Sequence, residues 1–180
     1  DEDAKPADGL GMDKDGNWFY YKDGKVDTAY TGLAANEYGW WYILNGVLDF
    51  SYNGFGRNGD SWWYCRGGKV QFDDNGVIEG TVNGTYGWWK VVNSQVIFDN
   101  DVCANASGWW KITNGQVDFG FNGLAQNEYG WWYVSGGKID FAYTGLAQNE
   151  NGWFAVQGGR VNFECNGLVQ NEYGWWYVRN

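Results

Sequence analysis

The amino-acid sequence predicts an all-β solenoid built from about eight stacked β-hairpin repeats of ~22 residues. Three observations carry this expectation. Trp-rich doublets recur at a near-fixed period. Each is followed by an aromatic and β-branched run with a Gly-containing turn, and no window holds a helical period. The leading Trp of each copy falls at Trp18, Trp40, Trp62, Trp88, Trp109, Trp131, Trp153 and Trp175, and all 14 Trp lie at the first or second position of a doublet. Phe19 and Phe154 replace Trp at the second position.

The copy that begins at Gly130 is the clearest. Its strands are expected over roughly 131–134 and 138–141, with Ser135-Gly136-Gly137 turning between them. The segment from Tyr143 onward reads as a loop or a short third strand leading to the next hairpin. Residues 1–15 read as a polar linker, 16–72 as repeats one to three, 73–107 as an irregular middle containing an insertion, and 108–180 as repeats five to eight with the last cut short. One hairpin cannot bury an apolar face alone, so stacking is required.

Period-two alternation then sorts the faces. Trp132, Val134, Ile139 and Phe141 fall on one side, and Trp131, Tyr133, Lys138 and Asp140 on the other. The same split recurs at Trp41, Ile43, Leu48 and Phe50 against Trp40, Tyr42 and Asp49. The second aromatic of the doublet therefore reads as core, which explains why Phe can stand there. The first Trp never varies, although it lies on the polar-decorated face.

Composition narrows the function. The net charge is −10, so phosphate backbones are repelled and nucleic acid is not an expected partner. His is absent, which removes the commonest general base and metal ligand. Cys65, Cys103 and Cys165 form no CxxC pair and read as small apolar fillers. No metal and no cofactor are expected. No apolar run reaches the ~18 residues of a transmembrane helix. Asp27, Asp49, Asp118 and Asp140 are repeated equivalents strung along an array, not a paired acid and base, and they read as turn residues. The Asn-Glu pairs at Asn36, Asn127, Asn149 and Asn171 read as solvated turns. No constellation for an enzyme emerges.

A row of indoles beside Tyr and carboxylate or amide groups suits ligand binding instead. The flat apolar rings cover sugar C–H groups or attract a quaternary ammonium, and the polar groups meet hydroxyls. The candidate ligand-binding residues are Trp18, Trp40, Tyr42, Trp62, Tyr64, Trp88, Trp109, Trp131, Tyr133, Asp140, Trp153 and Trp175. Equivalent sites along an array favour a polymer such as a polysaccharide, because repeated weak contacts add up as avidity. The other reading open at this point is an array that binds a host or partner protein.

The copies Trp18-Phe-Tyr-Tyr-Lys-Asp-Gly-Lys25 and Gly130-Trp-Trp-Tyr-Val-Ser-Gly-Gly137 resemble the choline-binding and glucan-binding repeats of bacterial cell-surface proteins, from about Gly16 onward. The resemblance implies a β-hairpin solenoid and a non-catalytic module. It implies a module of a larger secreted, surface-held protein that holds an enzyme or adhesin to cell-wall choline or to a glucan, the polymer being a glucan or a cell-wall polysaccharide or teichoic acid. The family's Thr-Gly-Trp is Thr-Gly-Leu here, at Thr31-Gly-Leu33 and Thr144-Gly-Leu146, so Leu stands where that family places a wall of its choline cage.

Overall fold

The structure, a computed structural model, describes residues 5–179. These form 23 strands and no helix. They fall into two compact units. The first runs to Asn75 and adds Glu79–Gly87 and Val91–Val96; the second comprises Gly76–Ile78, Trp88–Lys90 and the residues from Ile97 onward.

Each full repeat is a three-stranded antiparallel meander. In the clearest copy these strands are Gly123–Asn127, Gly130–Ser135 and Lys138–Ile139. The first pair runs from Gly123↔Val134 to Asn127↔Gly130, and the second adds Val134↔Ile139. The connecting segment is thus a full strand. Alternate small and apolar residues let Leu124 and Ala125 both be buried there. The final strand is shorter than expected, because pleating stops at Ile139 and Asp140 opens a turn.

Gly136 and Gly137 have φ of 57° and 79°, the left-handed pair that a type I′ turn needs and whose twist matches the flanking strands. Asn45-Gly46 does the same work in the first unit, with φ of 50° and 81°.

Hairpins stack in the solenoid manner within each unit. The short strand of one repeat pairs with the central strand of the repeat before it, through Trp41↔Lys69 in the first unit and Trp110↔Lys138 and Trp132↔Arg160 in the second. Tyr42 N–H donates to the Gly68 carbonyl at 2.7 Å and Tyr133 N–H to the Gly159 carbonyl at 2.8 Å, so each step also joins backbone to backbone.

The core is a series of small apolar layers. Ala34, Ile43 and Leu48 make one layer, and Leu33, Cys65 and Val70 the next. In the second unit Val77, Trp110, Ile112 and Val117 form a layer, as do Val102, Ala125, Val134 and Ile139. Cys65 takes the place that Ile43 and Val134 hold in other copies. Its thiol is fully buried, and burial pushes its pKa up to about 12. Such a thiol packs as a small hydrophobe.

Two expectations need correction. The Phe residues assigned to the core face, Phe141 and Phe50, are not core: Phe141 is 49% exposed and Phe50 is exposed too, as are their equivalents Phe119 and Phe163 in other copies. The alternation that assigned them ends two residues earlier, where the strand ends. Gly9–Met12, inside the stretch read as a polar linker, is a strand that pairs from Gly9↔Tyr21 to Met12↔Trp18. It is the leading strand of the first repeat, concealed because Asp13–Asn17 replaces the usual turn sequence.

Candidate functional site

The doublet puts its two indoles on opposite pleats, and each reaches a different apolar layer. Trp131 and Tyr133 pack against Leu124, Ala147, Val156 and Val161; Trp132 packs against Val102, Ala125, Val134 and Ile139. The first Trp is therefore no free platform in the middle of the array. It bridges its own repeat to the following one, and the gap left beside it is the site.

That gap is found in each unit with the same lining. In the first unit a cavity of about 160 Å³ is lined by Leu33, Trp40, Asn58, Trp63, Val70 and Phe72. In the second a cavity of about 180 Å³ is lined by Leu124, Trp131, Asn149, Phe154, Val161 and Phe163, with Asn151 at its edge. The positions correspond in order: Leu and first Trp from one repeat, then Asn, second aromatic, aliphatic and Phe from the next. The exposed Phe that alternation misassigned is one wall. It stands edge-on to the second aromatic, at 5.6 Å for Phe72 on Trp63 and 5.9 Å for Phe163 on Phe154.

At two other junctions the same position is filled by its own ring. Trp88 leans on Trp110 at 5.1 Å and on Phe119 at 5.5 Å. Trp109 does likewise on Trp132 at 5.5 Å and on Phe141 at 6.0 Å. The second residue of the repeat's leading strand differs between the two cases. It is Leu33 or Leu124 beside the cavities, and Val77 or Val102 beside the closed positions. The shorter side chain leaves room for the indole to swing inward.

The other candidate residues are distributed as follows. Trp18 meets Tyr38 edge-on at 6.3 Å. Trp62 is half-buried. Trp153 and Trp175 are exposed at 50% and 64%. Tyr42 stacks on Tyr52 at 3.6 Å and Tyr133 on Tyr143 at 3.7 Å, while Tyr64 tilts against Phe55 at 5.3 Å. Burial pushes the Tyr42 hydroxyl above its usual pKa. The Tyr52 and Tyr143 hydroxyls donate to the carbonyls of Phe55 and Leu146 at 2.8 and 2.6 Å, pinning the next strand. Asp140 accepts from Ala142 N–H at 2.9 Å, within its own turn. Asp49 does the same with Ser51, whose hydroxyl and N–H hold its carboxyl below the usual range. Neither carboxylate lines a cavity.

The Asn of the Asn-Glu pairs has a structural part that sequence reasoning missed. Asn127 Oδ1 accepts from Tyr129 N–H at 3.0 Å and from Trp132 Nε1–H at 2.8 Å, so one amide closes the turn and fixes the second indole. Asn36 and Asn105 repeat this with Trp41 and Trp110. The fixed spacing of Asn to the second Trp was the signal. We expect Asn127→Ala to cost about 1–3 kcal/mol by urea denaturation, because it orphans an indole N–H in a half-buried position. Asn127→Asp keeps the acceptor and should cost less at neutral pH.

With this geometry in hand, comparison with known families is decisive. The choline-binding repeat model matches residues 8–27, 29–49, 51–71, 99–118, 120–140, 142–162 and 166–180, well over half of the sequence. The chain belongs to the choline-binding repeat family. The matches pass over residues 72–98, where the insertion lengthens two strands to Gly76–Val82 and Thr85–Val92. No curated protein matches the chain. Choline-binding repeats are modules that bind the cell wall through choline. Both of these cavities lie between repeats that the family model matches.

Proposed function

We propose that the chain is a non-catalytic module that holds its protein at a bacterial surface by recognising a choline-bearing polysaccharide or teichoic acid. The observation that carries this reading is the repeated cavity, in which two rings of one repeat and the Trp of the preceding one surround a small space. Its volume fits a small head group: an engineered apolar cavity of about 150 Å³ takes a guest the size of benzene. A trimethylammonium group is apolar on its surface and cationic within, so it gains from both the aliphatic wall and the ring faces. Each ring contributes about 0.5–2 kcal/mol. With no carboxylate in the lining, a single site is expected to be weak, with Kd on the order of 1 mM. The net charge of −10 favours the cationic choline group over the anionic parts of such a polymer.

The sugar chain would lie outside the cavities. Cross-strand pairs Gln126↔Trp131, Gln148↔Trp153 and Gln170↔Trp175 recur in the last three repeats, each placing an exposed amide beside an indole. A larger groove of about 660 Å³ includes Tyr133, Tyr143, Thr144, Gln148, Trp153 and Gln170. Such a surface offers stacking for C–H faces and amides for hydroxyls.

Calorimetric titration with choline chloride, then with a choline-free glucan, tests the proposal. Saturable heat with choline at two or more sites per chain is expected. Absence of choline binding, with retention of a protein partner in pull-down, would replace it with the protein-interaction reading.

A further inference from the structure

The second Trp of three repeats carries a cation supplied by the chain itself. Lys69 Nζ lies 5.1 Å from the centre of the Trp41 ring, Lys138 Nζ 5.3 Å from Trp110, and the Arg160 guanidinium 5.6 Å from Trp132. All three distances are within the ~6 Å range of cation–π attraction. In each case the basic residue belongs to the following repeat and stands directly across the strand from the ring it covers.

The seat is built by backbone as well as by indole. Gly39, Gly108 and Gly130 sit two residues before these rings, on the same pleat. A Cβ at Gly39 would come 2.7 Å from Lys69 Cε, one at Gly108 2.5 Å from Lys138 Cε, and one at Gly130 3.1 Å from Arg160 Nε. The bare glycine lets the basic stem lie flat and reach the ring. Where that position carries a side chain, as Asn17 before Phe19 or Ser61 before Trp63, the cross-strand residue is Val47 or Gln95 and no cation is present. Trp89, two residues after Gly87, faces Gln116 across the strand.

We propose that these are three further ammonium seats, filled in cis by Lys69, Lys138 and Arg160. The tethered cation joins one repeat to the next and keeps a free quaternary ammonium off that ring face. The cavity-lining aromatics Trp63 and Phe154 carry no such partner among the described contacts, so the array divides its second aromatics into self-filled seats and rings available to ligand. The inference goes beyond the reading of the cavities, because it concerns a different ring face and stands whether or not the cavities bind choline.

The test is rescue of the full chain by a free cation. Lys138→Ala should lower the thermal midpoint by about 2–4 °C, the shift expected when a contact worth about 1 kcal/mol is lost from a chain of this size. Tetramethylammonium chloride should then raise the midpoint of Lys138→Ala more than it raises that of the unaltered chain, with sodium chloride at the same concentration as control. Lys138→Arg, which restores a cation as Arg160 does naturally, should show no extra response. Lys69→Ala repeats the experiment in the first unit. Equal tetramethylammonium shifts in Lys138→Ala, Lys69→Ala and the unaltered chain would overturn the proposal. Repeating the measurement with Trp40→Ala and Trp131→Ala in place separates it from the cavity reading: the extra response should persist there, and its loss would show that the cavities alone take the cation.

Discussion

Replacing Trp40 and Trp131 together by alanine should abolish measurable choline binding by the full chain while leaving it folded. Each Trp is one ring wall of a cavity, and removing a desolvated cation–π partner costs about 1–2 kcal/mol, roughly 5- to 30-fold per site. From a starting Kd on the order of 1 mM, that places single-site binding beyond ordinary calorimetric reach. On a polymer the loss compounds, because two weak sites engaged at once give far more than either alone. Retention on a choline-bearing matrix should therefore fall further than solution affinity. The comparison that gives the experiment its force is Trp88→Ala with Trp109→Ala. Those indoles hold the same repeat position but lean on Trp110 and Trp132, so their loss should lower stability and spare binding. If all four single variants lose binding equally, the two cavities are not the site.

The period of the Trp doublets made the architecture legible, because a repeat that cannot bury its face alone must stack. The type I′ turns were legible from Gly136-Gly137, and the turn role of Asp140 from its recurrence in equivalent places. The site was only half legible. Trp40 and Trp131 stood out as invariant, but their cavity partners Trp63 and Phe154 were placed in the core as second aromatics of the doublet. Alternation is a rule about one strand, and it fails where the strand ends: Ile139 is the last pleated residue, so Phe141 turns out over the indole edge. The choice between open and closed positions was not legible either. It rests on the difference of one methylene between Leu124 and Val102, which acts through the first indole of the same repeat, Trp131 or Trp109. The clip made by Asn127 was hidden because a solvated turn and an indole acceptor use the same residue at the same spacing.

The largest stability effect is expected at Ile112. It is 0% exposed and sits in a layer with Val77, Trp110 and Val117, across the strand from Val117. Ile112→Ala leaves a cavity that the flanking strands cannot close, since both are held by ladder hydrogen bonds, and should cost about 2–5 kcal/mol. Phe119→Ala removes more atoms yet should cost less. Phe119 is half-exposed, and its loss forfeits edge contacts with Trp88 and Trp110 worth about 0.5–1.5 kcal/mol each rather than a packed interior. Sequence alternation ranks the two residues together as core, so the order of their effects discriminates the observed geometry from that simpler pattern. Urea denaturation of both variants measures it. Because repeats contact mainly their neighbours, Ile112→Ala should also reduce the slope of the transition, as the second unit begins to melt before the first. A Phe119→Ala loss that equals or exceeds the Ile112→Ala loss would mean that the Phe is buried in solution, and the cavity wall built from its equivalents Phe72 and Phe163 would fall with it.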